Sequence, residues 1–125
     1  MTDDRVLVHN EYGNSQDKVN EAIKNIPEKD KQLGECDGFA EKLSALLKKA
    51  GIDFDIIRID SDFNIYSDKA GTVIGRKYHY GIRVGDTVYD NLTTIGMSFD
   101  DWLDDMGFNE VGGLYWNVVD EIINH

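Results

Sequence analysis

The sequence predicts a single domain of the α+β class, because helical patterns come first along the chain and strand patterns follow them. Two amphipathic helix patterns lie before residue 51, a hairpin pattern lies between residues 77 and 91, and a short helix pattern comes later. The chain has 125 residues, one proline and no low-complexity tract. Nothing in this composition marks a domain boundary, so we expect one domain over residues 1–125.

The N-terminal part of the chain predicts a short helix after a strand or an arm. The stretch RVLVHN fits either a short strand or an extended arm, and EYGN after it has turn chemistry. In the helix that follows, Ser15 or Asp17 is expected as the cap, and Pro27 is expected to end it. Its apolar positions at helical spacing are Val19, Ala22, Ile23 and Ile26.

The strongest helix pattern starts beside the only cysteine of the chain, Cys36. From Asp37 onward, apolar residues follow the three- and four-residue spacing of one helix face, with lysines on the opposite side. These apolar residues are Phe39, Leu43, Leu46, Leu47 and Ala50. Gly51 stands where a residue in the left-handed conformation commonly ends a helix. Because the preceding stretch EKDKQLGE predicts a charged loop, we expect Cys36 at the helix N-terminus.

Strand patterns follow the second helix. The stretch DFDIIRID is rich in β-branched residues and predicts a strand, whereas SDFNIYSDKAG after it is polar and predicts turns. The stretch KYHYGIRVGDTVYDN predicts two strands that are joined at Gly85-Asp86.

The C-terminal part predicts a short helix and one element of undecided type. Ser98 is expected to cap the helix SFDDWLDDMG, which has acidic residues in its first turn, and Gly107 is expected just after its end. The last stretch, GGLYWNVVDEIINH, fits either a helix or a strand.

The predicted hairpin also predicts which side chains share a face. With a two-residue loop at Gly85-Asp86, Asp90 becomes the diagonal neighbour of His79 on the same face of the sheet. The carboxylate then lies within roughly 7 Å of the imidazole. One more residue in the loop would bring Asn91 to this place instead.

Composition limits the classes of function. A single cysteine cannot form an internal disulfide, so a reducing compartment fits the thiol best. The 24 acidic and 13 basic residues give a net charge of −11, which disfavours attachment to nucleic acid or anionic lipid through the overall field. No apolar run approaches the ~20 residues of a membrane-spanning helix, so we expect no membrane insertion by this domain, and we expect no cleavable signal. We also expect no metal and no cofactor, because CxxC, HxxxH, GxGxxG and Walker patterns are absent.

Cys36 and His79 form the candidate pair for chemistry. The positive end of a helix dipole favours a thiolate, and the N–H groups of a first helical turn can hold an oxyanion. His79 is the candidate base because it lies within a strand pattern, whereas His9 lies in the N-terminal arm and His125 ends the sequence. More often, however, a lone cysteine is a small buried hydrophobe, a Tyr-His-Tyr run is packing and a YDN run is an Asx turn. The order of cysteine, histidine and aspartate along the chain is what favours catalysis over these readings.

This arrangement resembles the papain-fold toxin domains, small cysteine-protease-like modules at the C-termini of bacterial polymorphic toxins, including contact-dependent inhibition effectors. The resemblance spans about residues 34–107 and is carried by ECDGFAEKLSALLKKAGI, IIRI, YHYGIRVGDTVYDN and GMSFDDWLDDMG. Its most specific part is HYG, a short strand, a turn and VYDN. The fold it implies is papain-like, with N-terminal helices and the nucleophile helix packed on a small antiparallel sheet.

The resemblance implies a catalytic site in which Cys36 is the nucleophile, His79 the general base and acid, and Asp90 the residue that orients the imidazole. It implies hydrolysis or transfer at an acyl carbon, on a peptide or a glutamine side-chain amide of a protein in the target cell. Papain has a glutamine oxyanion donor before its nucleophile, and Gln32 here lies closer to the cysteine than papain's spacing. The resemblance further implies secretion or delivery within a larger effector, action in the target-cell cytoplasm, and a cognate immunity protein as partner.

Two other classes of function stay open at this point. Arg76, Lys77 and Arg83 lie close to His79 in the sequence, and such a basic strip suits phosphates, so a nuclease toxin that cleaves tRNA or another RNA is one alternative. A small acidic α+β domain is also typical of a non-catalytic binding or immunity-type protein.

Overall fold

The computed structural model of the protein describes residues 16–123. The predictions made for RVLVHN, for EYGN and for a cap at Ser15 lie outside the described residues. Helix α1 occupies residues 16–24 of the described part, so Asp17 lies within it, and the chain leaves the helix before Pro27 as predicted. A 3₁₀ turn follows at Glu28–Lys31, and helix α2 spans Cys36–Ala50.

Seven strands and a third helix complete the described part of the chain. The strands are β1 (Asp55–Ser61), β2 (Ile65–Ser67), β3 (Thr72–Gly75), β4 (Tyr78–Val84), β5 (Thr87–Asp90), β6 (Thr93–Ser98) and β7 (Leu114–Val119), and helix α3 (Phe99–Asp105) lies between β6 and β7. Five strands form an antiparallel sheet in the order β6-β5-β4-β1-β7, and β2 pairs with β3 in a separate small sheet. The α+β prediction is confirmed.

The five-stranded sheet is covered on both faces. Helices α1 and α2 cover one face, and their core consists of Val19, Ala22, Ile23, Ile26, Cys36, Phe39, Ala40, Leu43, Leu47, Ile56, Tyr80, Ile82 and Tyr89. Helix α3 and the small sheet cover the other face, with a core of Ile57, Ile59, Ile65, Ile74, Val88, Phe99, Trp102, Met106 and Leu114. Neighbouring residues of β1 enter opposite cores because side chains alternate along a strand. Helix α2 packs against β4, the strand that carries His79.

The ends of two helices agree with their predicted signals. Gly51 has a φ of 74°, and its N–H closes the last turn of α2 on the carbonyls of Leu47 and Lys48. Ser98 caps α3 by accepting a hydrogen bond from the N–H of Asp101.

Two stretches differ from their predictions, and the structure decides the type of a third. The stretch SDFNIYSDKAG contains β2, so the prediction of turns alone was wrong; a three-residue strand is too short to show a period. The predicted loop EKDKQLGE contains the 3₁₀ turn, in which Asp30 is buried. The undecided C-terminal stretch forms β7, whose residues are mostly exposed on both faces and so show no alternation. Among the described residues, no helix is long and apolar enough to cross a membrane.

Candidate active site

Cys36 is the first residue of α2, as the sequence predicted. The first hydrogen bond within this helix runs from the N–H of Phe39 to the carbonyl of Glu35, at 3.0 Å. The N–H groups of Cys36, Asp37 and Gly38 therefore have no partner within the helix, and the side chain of the N-cap residue, Glu35, does not cap them. An open helix N-terminus is thus combined with a thiol in a single turn.

The loop before Cys36 is fixed by contacts to two other elements. The side chain of Asn91, at the end of the hairpin, donates a hydrogen bond to the carbonyl of Gln32 at 2.7 Å. Asn91 is thus bound to this loop rather than to His79, so the alternative with a longer hairpin loop does not apply. Buried Asp30 pairs with Lys42 of α2 and lies against Gly38, where an added Cβ would come within 2.6 Å of its Oδ1 atom. These contacts set the position at which α2 begins.

His79 is completely buried on β4, and its two ring nitrogens have different surroundings. Its Nε2 atom lies 2.9 Å from Oδ2 of Asp90. Its Nδ1 atom is buried without a hydrogen-bond partner among the described residues. The strand pairs Val84–Thr87 and Ile82–Tyr89 are those of the two-residue loop predicted from the sequence, and this register brings the carboxylate to the imidazole.

Asp90 is buried and accepts three hydrogen bonds. His79 and the indole N–H of Trp102 both meet Oδ2, the second at 2.8 Å, while the N–H of Leu92 donates to Oδ1 at 2.9 Å. The carboxylate is thereby fixed in position and kept ionised. Trp102 is a site residue that the sequence reasoning missed.

Gly81 provides the space that Trp102 occupies. A Cβ at residue 81 would lie 2.6 Å from the indole ring and 2.8 Å from a methyl group of Val88. The centroid of the indole lies 6.0 Å from that of the His79 ring. A glycine two residues after a strand histidine and a tryptophan in a nearby short helix were the signals available in the sequence, but neither indicates that the two residues meet.

The surroundings of His79 and Asp90 favour the charged form of both side chains. Burial by itself lowers the pKa of His79, but the hydrogen bond to Asp90, the nearby Cys36 thiol and the charges of these two residues outweigh it and raise that pKa to about 10. Burial raises the pKa of Asp90, and the hydrogen bond and charge of His79, with the Trp102 and Leu92 donors, bring it below its ordinary value. Because Asp90 occupies Nε2, Nδ1 is the ring nitrogen that remains without a hydrogen bond among the described residues.

The Cys36 thiol has a second neighbour in Asp37. Its Sγ atom donates a hydrogen bond to Oδ1 of Asp37 at 3.4 Å, and the Tyr78 hydroxyl donates to Oδ2 of the same carboxylate at 2.9 Å. Burial, then the hydrogen bond to Asp37, raise the pKa of Tyr78, so the phenol stays protonated and remains a donor. Asp37 therefore joins the nucleophile candidate to the strand that carries the histidine.

A cleft of about 460 Å³ opens beside Cys36. Its lining comes from the loop before α2, from β3, and from the turn between β3 and β4. The lining residues are Leu33, Gly34, Cys36, Val73, Ile74, Gly75, Arg76 and Tyr78. Cys36 thus borders this cleft although the residue is mostly buried.

Two other residues considered in the sequence lie away from the thiol chemistry. The side-chain amide of Gln32 donates to the carbonyl of Glu28 at 3.1 Å and is exposed. Arg83 binds Gly85 and Asp86 at the hairpin turn and stacks on Phe99, at the end of β4 away from His79. Within residues 16–123, no three His, Cys, Asp or Glu side chains lie together as a metal site.

Comparison with protein families matches most of this sequence to one family model. The model of the family described as papain fold toxin 2 matches residues 18–107, which include Cys36, His79, Asp90 and Trp102. The match starts earlier than the resemblance seen in the sequence and takes in most of α1. Comparisons with curated proteins and with solved structures gave no significant match. The match covers well over half of the chain and the α+β architecture is consistent with a papain-like fold, so the chain belongs to the papain fold toxin 2 family.

Proposed function

We propose that the protein is a toxin effector domain that hydrolyses or transfers an acyl group, with Cys36 as nucleophile, His79 as general base and acid, and Asp90 as the orienting residue. The observation that carries the proposal is the buried imidazole, which has one nitrogen on Asp90 and the other left without a partner near the thiol. A purely structural histidine would be expected to have both nitrogens satisfied.

In the proposed reaction, Nδ1 of His79 already holds the proton of the Cys36 thiol before attack, so a thiolate lies beside an imidazolium that Asp90 stabilises. The thiolate attacks the carbonyl carbon and forms a C–S bond, while the carbonyl π electrons move to the oxygen. The N–H of Cys36 at the open helix N-terminus holds this oxyanion. When the oxyanion collapses, the C–N bond breaks and the leaving amine or ammonia takes the proton from Nδ1.

The acyl group then leaves the enzyme in a second half-reaction. Water or an amine attacks the thioester carbon and gives up a proton to Nδ1, the C–S bond breaks, and Sγ leaves as the thiolate beside the imidazolium. With water the outcome is peptide cleavage or deamidation of glutamine, and with an amine it is cross-linking. A protein of the target cell is the substrate class that we favour over RNA.

The proposal also covers how the domain reaches its target cell and what neutralises it in the producing cell. We infer that the domain acts in the cytoplasm of the target cell after delivery as part of a larger effector, where the reducing medium keeps Cys36 as a thiol. A cognate immunity protein would protect the producing cell. The acidic chain, with a net charge of −11, favours an immunity protein with basic patches.

The direct test is replacement of the nucleophile. Cells that express Cys36→Ser are expected to grow as uninduced cells do, while the parent inhibits growth, because a hydroxyl in this setting is a far weaker nucleophile than a thiolate. The chain has one cysteine, so the change removes the only thiol and alters little else. Equal inhibition by the parent and by a folded Cys36→Ser protein would show the proposal to be wrong.

The same cells separate the alternatives. Loss of full-length tRNA with an unchanged protein pattern would favour a nuclease toxin. The absence of any growth defect, even with the folded parent at high level, would favour a non-catalytic binding domain.

A further inference from the structure

The cleft beside Cys36 has a charge opposite to that of the whole protein. The chain carries 24 acidic and 13 basic residues, yet the single charged side chain among the eight cleft residues is that of Arg76. The open N-terminus of α2, which carries the positive end of the helix dipole, borders the same space through Cys36. Arg76 is therefore the charged group that a bound molecule meets in the cleft lining, while the nearby Asp37 carboxylate is engaged by the Cys36 thiol and the Tyr78 hydroxyl.

The backbone holds Arg76 at a fixed place on the rim. Arg76 lies in the tight turn from β3 to β4, between Gly75 and Lys77. A Cβ at Gly75 would come within 2.2 Å of the carbonyl oxygen of Tyr78, and Lys77 has a φ of 74°, so both neighbours are in constrained positions. The Arg76 side chain is exposed, and within residues 16–123 its guanidinium has no ion-pair partner.

Apolar side chains flank the cleft. Leu33, in the loop before α2, is 52% exposed, and Val73 on β3 is 38% exposed. Both belong to the small group of large hydrophobic residues that the described part of the protein leaves in solvent, and both line this one cleft. An apolar group bound between them would remove their surface from water.

We propose that this cleft selects a peptide substrate in which an acidic side chain, paired with Arg76, lies beside the acyl group attacked by Cys36 and an apolar side chain packs against Leu33 and Val73. The inference rests on the proposed function and adds the substrate class to it. A guanidinium binds a carboxylate with two parallel hydrogen bonds, which gives direction as well as charge. An RNA would need several cations along its backbone, and this cleft has one.

The first experiment compares two alkylating reagents of the same size on Cys36. Iodoacetate carries a carboxylate and iodoacetamide does not. The ratio of their rate constants therefore measures how strongly the cleft favours an anionic reagent over a neutral one. Arg76→Glu is expected to lower the iodoacetate-to-iodoacetamide ratio by about fivefold, the upper end for an exposed ion pair. Lys77→Glu is the matched control, because it makes the same charge change at the next residue, which does not line the cleft.

An equal drop of the ratio in both variants, or no drop in Arg76→Glu, would overturn the inference. The absolute rate of iodoacetamide reports separately on the proposed function. A Cys36 that reacts with iodoacetamide no faster than a free cysteine would contradict the proposed function. The ratio of the two rate constants would still report on Arg76, however slow both reactions are.

The second experiment uses peptides that carry a thiol-reactive vinyl sulfone next to a leucine and either glutamate or its neutral isostere glutamine. The parent and Lys77→Glu are expected to react with the glutamate peptide about fivefold faster, and Arg76→Glu is expected to lose or reverse this preference. Equal rates for the two peptides with the parent would contradict the inference. Arg76-dependent protection of Cys36 by a single-stranded RNA, without a preference between the peptides, would assign the cleft to phosphates instead.

Discussion

Asp90 is the residue through which three parts of the molecule act on His79. The hairpin register supplies the carboxylate, α3 supplies the indole donor of Trp102, and the backbone of Leu92 fixes the other oxygen. In low-dielectric surroundings each of these hydrogen bonds to a charged acceptor is strong. We therefore regard Trp102 as a positioning residue that acts on the imidazole through Asp90.

Replacing Trp102 by phenylalanine tests this role. Trp102→Phe keeps most of the ring packing and removes the N–H donor, and we expect alkylation of Cys36 by iodoacetamide to slow by about tenfold. The lost hydrogen bond is one of the causes that lower the pKa of Asp90, so the acid limb of the alkylation profile should move to higher pH. The profile is measured from pH 4 to pH 9 together with the circular-dichroism spectrum.

Trp116→Phe is the matched control for that experiment. Trp116 is 41% exposed on β7, its ring packs edge-on against Phe99, and it is not among the hydrogen-bond donors to Asp90 in the described part of the chain, so the same chemical change there should leave the rate and the acid limb as in the parent. A Trp102→Phe protein with the parent's pH profile would show that the indole is a packing residue alone.

At the residue scale, the sequence predicted the contacts that arise within one hairpin and at one helix start. The proximity of His79 and Asp90 follows from a two-residue loop, and the place of Cys36 follows from the helix pattern. Trp102 and Asp37 were missed because their partners lie on other elements, and a single sequence does not state which elements pack together. Whether Cys36, His79 and Asp90 catalyse a reaction stays a prediction.

At the scale of elements, the hairpin and α3 form one unit around Gly81. The N–H of Phe99, the first residue of α3, donates to the carbonyl of Asp86 in the hairpin turn at 2.9 Å. This contact fixes the start of the helix, and Gly81 leaves the strand surface flat where Trp102 lies on it. The angle of α3 against β4 therefore depends on the absence of one side chain.

Gly81→Ala tests this dependence. The added methyl group would overlap the indole and Val88, and we expect a loss of about 2 kcal/mol in the free energy of unfolding, together with slower alkylation of Cys36. Gly112→Ala is the control, because a Cβ there meets nothing within 4 Å and its φ is not positive. Urea unfolding of the two variants gives the comparison, and equal stabilities would contradict the packing argument.

The elements that the sequence predicted well are those with long or sharply marked patterns. Helix α2 has four turns of periodic spacing and a glycine at its end, and the hairpin has a clear turn. Strands β2 and β3 were missed because each has only three or four residues, and their position depends on Asp105 of α3, which binds Ser67 and the N–H of Lys69. Such tertiary support leaves no local trace in the sequence.

At the scale of the whole molecule, the buried pair gives stability within a defined range of pH. The pKa of His79 is raised to about 10 in the folded protein, whereas an unfolded histidine titrates near pH 6.5. The contribution of the charged imidazole is therefore complete below about pH 6.5 and is lost as the pH rises through about 10. The contribution of Asp90 depends on pH in the opposite direction. Because its pKa is lowered in the folded protein, the stability that its charge provides is lost as the pH falls below the range of ordinary carboxylates.

Asp90→Asn measures this contribution. We expect the variant to be less stable than the parent by about 2 kcal/mol near pH 6.5, and the difference to shrink near pH 10.5, where the imidazole of the parent is neutral. The protein has a net charge of −11 at pH 7, and its other ionisable groups affect the stability of the parent and of the variant in the same way. The difference between the two free energies of unfolding therefore reports on the His79–Asp90 pair. Urea unfolding at the two pH values is the measurement, and a difference that does not change with pH would contradict the assignment.

The extent of the family match was also only partly predictable. The resemblance in the sequence began near residue 34, whereas the family model matches from residue 18. Helix α1 supplies Val19, Ala22 and Ile23 to the core that it shares with α2, which explains why it belongs with the rest. Its own pattern is that of any short amphipathic helix, so the sequence alone carried no signal of this membership.

The place of Trp102 also makes the protein its own optical reporter. The chain has two tryptophans, and Trp116→Phe would leave the buried indole beside His79 as the single one. An imidazolium quenches indole fluorescence more strongly than a neutral imidazole does. The emission of that variant should therefore brighten as His79 loses its proton, so that the charge of the ring can be followed in intact protein without a substrate or a label.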